Sequence, residues 1–254
     1  NCTDINECLT DPCGRFYNCT NSPGSYSCEV RRQDLFSTTP GLCDGFGRGI
    51  DVDGDELFVV EGAFHGSNSY RITTYQDLGA GFEQTEVLEP VDGSRLGDGI
   101  AASSDRIYAT GGTLSAYSHL NAYFRPSGST TWSPLGLYEI PETPGVVMNN
   151  PRFLDEMTIS GSALFASVVF TPEGAEEDAL GSRVVRLRPN GANLDWDFYD
   201  APALSFEYGS GNINWSTDYQ SFPNSMAIGG SGQLVLGWHP FLCSLGISVA
   251  DPTF

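Results

Sequence analysis

The chain opens NCTDINECLTDPC, and within it DINEC (residues 4–8) sets two carboxylates and an amide immediately before a cysteine. Oxygen donors at that density suit a hard divalent cation, while the thiols suit cross-linking. Seven cysteines occur, Cys2, Cys8, Cys13, Cys19, Cys28, Cys43 and Cys243. Four of them, Cys8 to Cys28, fall within one short polar stretch. Cysteine at that density means disulfides in an oxidising compartment or a metal site in a reducing one. No CxxC pair occurs and no histidine lies nearby, so zinc is disfavoured and disulfides are expected.

The charge balance points the same way. Thirty-two acidic residues face 12 basic ones, all arginine, for a formal net charge of −20. Such a surface repels nucleic acid and anionic lipid and tolerates divalent cations or a salty exterior. A merely solvated surface would look the same. No apolar run is long enough to span a membrane, so no membrane insertion is expected. The chain begins at Asn1 and Cys2 without a signal sequence, so a secreted protein would start here after processing or be cut from something longer.

DINEC, followed by C-x-N-x-x-G-S-Y-x-C in CTNSPGSYSC (19–28), resembles a calcium-binding EGF-like domain over about residues 3–30. Calcium takes about six to eight oxygens, which explains the residue types. The resemblance implies side-chain ligands from Asp4, Glu7 and Asn21 and backbone ligands from Ile5, Ser22 and Ser25. It also implies the pairs Cys8–Cys19 and Cys13–Cys28. The family's fifth cysteine, due near Val30, is missing. Cys43 stands about where a sixth would fall, and Cys2 where the last cysteine of a preceding module would. The module therefore reads as trimmed to two disulfides. An odd cysteine count leaves at least one thiol free or bonded to another chain, with Cys2 the candidate.

The elements behind this module are repetitive. GIDVDGDELFVV (49–60), GIAASSDRIYAT (99–110), EMTISGSALFAS (156–167) and SMAIGGSGQLVL (225–236) align. Each is a short apolar strand, a Gly/Ser/Asp turn and a second apolar strand, which predicts a hairpin. Further strand pairs follow the first three: SYRITTYQ with FEQTEVL, HLNAYFR with WSPLGLY, and SRVVRLR with LDWDFYD. The repeats end at Pro90, Pro141 and Pro202, 51 and 61 residues apart, and proline ends a strand ladder because it cannot donate to it. That period fits a four-stranded propeller blade. The fourth repeat stops after LGISVAD (245–251). QDLFSTTP (33–40) carries the same terminal proline, so it is expected as the missing strand. Pairing it into the last blade would leave no exposed sheet edge.

The repeats resemble FG-GAP-like propeller repeats, chiefly through GFGRGIDVDGDELFVV. The expected fold is all-β: a disulfide-rich EGF-like module over 1–30 and a four-repeat β-propeller-like domain over 31–254, completed by strand 33–40 from the same chain or a neighbour. Four blades imply either a small ring of the hemopexin type or blades that continue in a partner chain. Cys43 and Cys243 flank the proposed seam, and a bridge between them would contribute on the order of 4–5 kcal/mol in the chain-entropy model. Cys2–Cys43 is the rival pairing.

Other motifs weigh less. DVDGDE (51–56) looks like a calcium loop, yet the equivalents of Asp51 and Asp53 are Ala101 and Ser103, Thr158 and Ser160, Ala227 and Gly229. The turn thus forms without carboxylates. His65, His119 and His239 lack metal-ligand spacing. Neither a nucleophile elbow nor a phosphate loop is present, and no catalytic residue is assigned. Of the sequons at Asn1, Asn18 and Asn214, Asn214 is the candidate for glycosylation, because the other two hold cysteine in the middle. It lies in the aromatic-rich insert LSFEYGSGNINWSTDYQSFP. That insert and TPEGAEEDALG (171–181) read as surface loops, the first able to dock a partner or glycan or simply to cover one face.

These features imply a non-enzymatic extracellular structural or adhesive protein. Its expected partners are calcium and other copies of itself or another extracellular protein, with glycans as a further possibility. One reading is the repeating subunit of an extracellular filament. The alternative is a propeller that binds carbohydrate or a small ligand, including a hydrolase.

Overall fold

The computed structural model describes residues 4–14, 17–30, 32–37, 46–62, 70–79, 81–91, 93, 95–113, 116–139, 148–172, 181–190, 193–200, 225–228, 234–238 and 246–250. Cys2, Cys43, Cys243 and Asn214, and with them the expectations for the seam bridge, the free thiol and the sugar, fall outside these residues. The fold is all-β, with one 3-10 turn at Glu7–Thr10 as the helical element among the described residues.

A two-stranded hairpin comes first, β1 (Tyr17–Ser22) and β2 (Ser25–Val30). Four antiparallel meanders follow. The first is β3 (Gly49–Asp53), β4 (Glu56–Gly62), β5 (Tyr70–Asp77) and β6 (Phe82–Leu88). The second is β7 (Arg95–Ala102), β8 (Arg106–Thr113), β9 (Ala116–Phe124) and β10 (Ser133–Glu139). The third is β11 (Met148–Ser160), β12 (Ala163–Pro172), β13 (Gly181–Asn190) and β14 (Asn193–Asp200). The fourth has three strands among the described residues, β15 (Ser225–Ile228), β16 (Leu234–Trp238) and β17 (Gly246–Ala250). Every aligned hairpin of the sequence opens one of these sheets.

Glycine sets the turns where the sequence aligns. Gly54 and Gly161 each hold the first position of a two-residue hairpin loop with φ of 61° and 58°. Positive φ there matches the right-handed twist of the strands, and glycine adopts it without a Cβ clash.

The sheets stack face to face. β3 lies beside β7, β7 beside β11, and β11 beside β15. Between the first two sheets, Phe58, Val60, Tyr70 and Ile72 pack on Ile100, Ala102, Ile107, Ala109 and Tyr123. Between the second and third, Tyr108, Leu120 and Ala122 meet Phe153, Leu164, Ala166, Val168, Val185 and Leu187. A sheet covered on both faces needs strands that read as continuous apolar runs, which is why ELFVVEG is buried almost throughout.

Polar links stitch the first seam. Asp51 Oδ2 accepts from the Ala102 N–H on β7 at 2.7 Å, and the Arg48 guanidinium donates to Asp98 at 2.8 Å. Arg125 reaches back from the second sheet, donating through both terminal nitrogens to the Glu56 carboxylate and lying 4.4 Å over the Trp132 ring. Trp132 in turn meets Phe58 edge-on at 5.9 Å. Gly49 is required at this seam, because a Cβ there would sit 2.2 Å from the Asp98 carbonyl oxygen.

The expected closing strand 33–40 is described over 33–37, and within this chain those residues form no strand and pair with none of β15, β16 or β17. The segment instead straps the first sheet. The Gln33 amide donates to the Phe82 carbonyl at 2.9 Å and accepts from the Phe82 N–H at 2.7 Å, imitating a strand pair with a side chain. Leu35 packs against Leu57, Val59 and Tyr75, together with Phe46 and Phe82. An apolar leucine two residues from that amide clamp is drawn onto the sheet's face rather than to an edge.

Three outcomes follow from this packing. Phe58→Ala is expected to lose about 3–5 kcal/mol in denaturant unfolding, the cost of truncating a buried phenylalanine. Burial raises the Asp51 carboxyl above its usual value, with the Ala102 and Val52 N–H groups opposing and Asp53 adding to the rise. Asp51→Asn keeps an acceptor without the charge and is expected to match or exceed the parent's unfolding midpoint at neutral pH. Asp51→Ala strands the Ala102 N–H and is expected to lose about 1–3 kcal/mol.

Candidate metal centre

The amino-terminal module holds its polar side chains by two cross-links and one short turn. Disulfides join Cys8 to Cys19 and Cys13 to Cys28, with Cα separations of 5.6 and 5.5 Å. Cys19 and Cys28 face each other across β1 and β2. Both bridges therefore land on a single rung and clamp residues 8–13 against it. Closing loops of this size contributes on the order of 3 kcal/mol each in the chain-entropy model. Asn6 caps the 3-10 turn, its Oδ1 accepting from the Cys8 N–H at 3.2 Å, and Asp11 ends it in the left-handed region at φ 48°. Asparagine and aspartate are the residues that do these two jobs at least strain.

The far end of the hairpin turns through Pro23 and Gly24, the latter at φ 76°, as a type II turn requires. That turn aims the Gly24 N–H at Asp4 Oδ1, at 2.7 Å. Asn21, one rung below the turn, donates its amide to Asp4 Oδ2 at 2.9 Å, and its Oδ1 accepts from the Glu7 N–H at 3.3 Å. Asp4, Glu7 and Asn21 thus come together from two separated stretches of chain. The Gly24 N–H first, and the Asn21 amide second, hold the Asp4 carboxyl below the usual aspartate range. Glu7 Oε2 is shielded from solvent and has no hydrogen-bond partner.

This donor set fits a hard cation. The Asp4 carboxylate and the Asn21 amide meet, the Glu7 main chain joins them through its N–H, and an unpartnered, shielded carboxylate oxygen on Glu7 is what an absent positive charge would leave. Ser22 and Ser25 form the rung next to the Asn21–Tyr26 pair, and Ile5 adjoins Asp4 in the chain. Among the described residues no group of three or more His, Cys, Asp or Glu could hold a metal. Asn21 and main-chain carbonyls would have to complete any site here.

A buried ion pair, unforeseen in the sequence, sits on the first sheet. Glu61 is 1% exposed, yet it is ionic. Burial pushes its carboxyl up, but hydrogen bonds from Arg71, Ser37 and Thr73 and the Arg71 charge outweigh this and hold it below its ordinary value. Arg71 Nε lies 2.7 Å from Glu61 Oε1. Through Ser37 this buried pair also anchors the strap. Asp51, tempting as a cation ligand, is occupied in the seam between sheets. His119 lies half-buried on β9, beside the space that Gly111 leaves for its ring and for the Asn121 amide.

No protein-family model matches the chain, and no curated protein matches it. Among solved structures, a xylan β-1,4-xylosidase from Bacillus halodurans C-125 aligns at 11% sequence identity with a TM-score of 0.27. The alignment covers 85% of this chain and 54% of that one, so the chain spans about half the length of that structure. A likeness of this degree carries no argument about function.

Titration tests the Asp4 contacts directly. A depressed carboxyl keeps its contribution in full above the ordinary aspartate range and loses it only as pH falls through the lowered value. The Gly24 amide resonance is expected to titrate with a midpoint below that range. A midpoint within it would mean that the Gly24–Asp4 bond does not hold in solution.

Proposed function

We propose that this chain is a non-enzymatic extracellular structural protein, built from a calcium-stabilised EGF-like module and a propeller-like row of four meanders, that assembles with other copies of itself. The observation that carries the reading is the meeting of Asp4, Glu7 and Asn21 behind a doubly cross-linked rung. In this reading Asp4, Glu7 and Asn21, with carbonyls of Ile5, Ser22 and Ser25, would hold Ca²⁺. The ion would supply an electrostatic cross-link between the 3-10 turn and the hairpin.

Two disulfides support an oxidising, extracellular setting. The described residues hold no helix long and apolar enough to cross a membrane. The order of the meanders, three of four strands and one of three among the described residues, with each first strand beside the next sheet's first strand, supports a propeller-like arrangement. The strap supports a mechanical role for the module. Because Gln33 and Leu35 fasten the linker to the first sheet, a stiffened module would be carried at a fixed attitude instead of on a free tether. A rigid arm loses less entropy on docking than a flexible one, which favours assembly.

Calcium removal is the test. Light scattering of the full chain in millimolar calcium is expected to show multimers that dissociate on adding chelator and return when calcium is restored. Asp4→Asn is expected to weaken calcium binding in calorimetry by at least about tenfold, since even outer-shell partners of a metal are worth that much. Multimers indifferent to chelator, or a chain monomeric in both conditions, would overturn the reading.

A further inference from the structure

The repeats give each sheet an equivalent face, and the first sheet's copy of it is unlike the others. In the second sheet that face is Ile100, Ala102, Ile107, Ala109 and Tyr123, set by the pairs Ile100↔Ala109, Ala102↔Ile107 and Ile107↔Tyr123. In the third it includes Met157, Ile159, Leu164 and Ala166. Both are packed on the sheet before them. The same rungs in the first sheet are Ile50↔Val59, Val52↔Leu57 and Leu57↔Tyr75. Here the strap covers Leu57, Val59 and Tyr75, but the β3 half is bare. Ile50 is 59% and Val52 54% exposed, against 6% and 8% for Ile100 and Ala102.

β15 lies beside β11, and no comparable contact brings it round to β3 among the described residues. The interface that joins sheet to sheet inside the chain therefore runs on to Ile50 and Val52, and among the described residues no sheet receives it. We propose that the fourth sheet of a second copy stacks on this face, so that the meanders continue head to tail from one copy to the next. Repeat equivalence specifies the occupant: the face is built for the back of a preceding meander, and among the described residues the fourth meander lies beside the third and meets no further sheet. A joint of this kind pairs unlike surfaces, so it extends into an open chain unless its rotation closes a ring. The proposal rests on the self-assembly reading above and supplies its contact surface.

Cross-linking decides it. Full-length chain carrying a benzoylphenylalanine photo-cross-linker in place of Val52 is prepared with and without isotope label, mixed equally in calcium, irradiated and digested. The expected product joins position 52 to peptides from 225–250, in pairs of mixed isotope. Pairs of matched isotope only would mean that the fourth sheet closes the ring within one chain, and linkage elsewhere would place a different partner on the face. Either result overturns the proposal. Val52→Glu, at an exposed position, is expected to raise the concentration for half-assembly by about tenfold or more with the thermal unfolding midpoint unchanged. Assembly unaltered by Val52→Glu would equally overturn it. Chelator-sensitive multimers without mixed-isotope links would defeat this surface alone, whereas a chain monomeric throughout would defeat the underlying reading as well.

Discussion

Each of the first three meanders carries buried apolar side chains on both faces, and that one constraint governs the rest. A four-stranded sheet with Phe58, Val60 and Ile72 on one side and Leu57, Val59 and Tyr75 on the other has no face to offer water. It is stable only between neighbours. Stacking is therefore the condition under which these sheets form, and the chain is long because a single repeat would leave too much apolar surface uncovered. The strap is the local remedy at the start of the row, where among the described residues no sheet covers that face.

Stacking alone is nondirectional, so register between sheets comes from polar groups at the seams. Asp51 reads one N–H on the next sheet, Arg48 reads Asp98, and Arg125 grips both oxygens of Glu56 while its flat guanidinium lies on Trp132. A bidentate, stacked arginine fixes both distance and angle, which a lysine cannot do. The absence of lysine from the whole sequence acquires a partial explanation here: at least at this seam the cation works as a planar fork.

Much of the architecture was legible in the residues. The hairpins could be read because Gly54 and Gly161 punctuate apolar runs at equal offsets, and the third and fourth strands followed from the same alternation. The approach of Asp4 to Asn21 was legible through a motif whose two halves lie about fifteen residues apart. What escaped was every interaction set by distant chain. QDLFS alternates like a closing strand, and nothing local reveals that its glutamine will clamp Phe82 while its leucine turns onto a face. The internal comparison of repeats weighed against Asp51 as a cation ligand but could not supply its partner, Ala102, which lies on another sheet. Glu61 carries no sequence signal at all, since a buried carboxylate and an exposed one are the same letter until Arg71 and Thr73 close around it.

That the two sulfur bridges share a rung has a mechanical corollary. Tension arriving from the amino-terminal side reaches Cys8 and can cross by sulfur to Cys19, or run on to Cys13 and cross to Cys28. Either way covalent bonds take the load before the ladder between β1 and β2 is stretched. While the thiols remain oxidised, the module cannot pay out much chain under force, whereas the meanders behind it are held by stacking and seam contacts. A pulled molecule would therefore give way in its large part and keep its small grip intact.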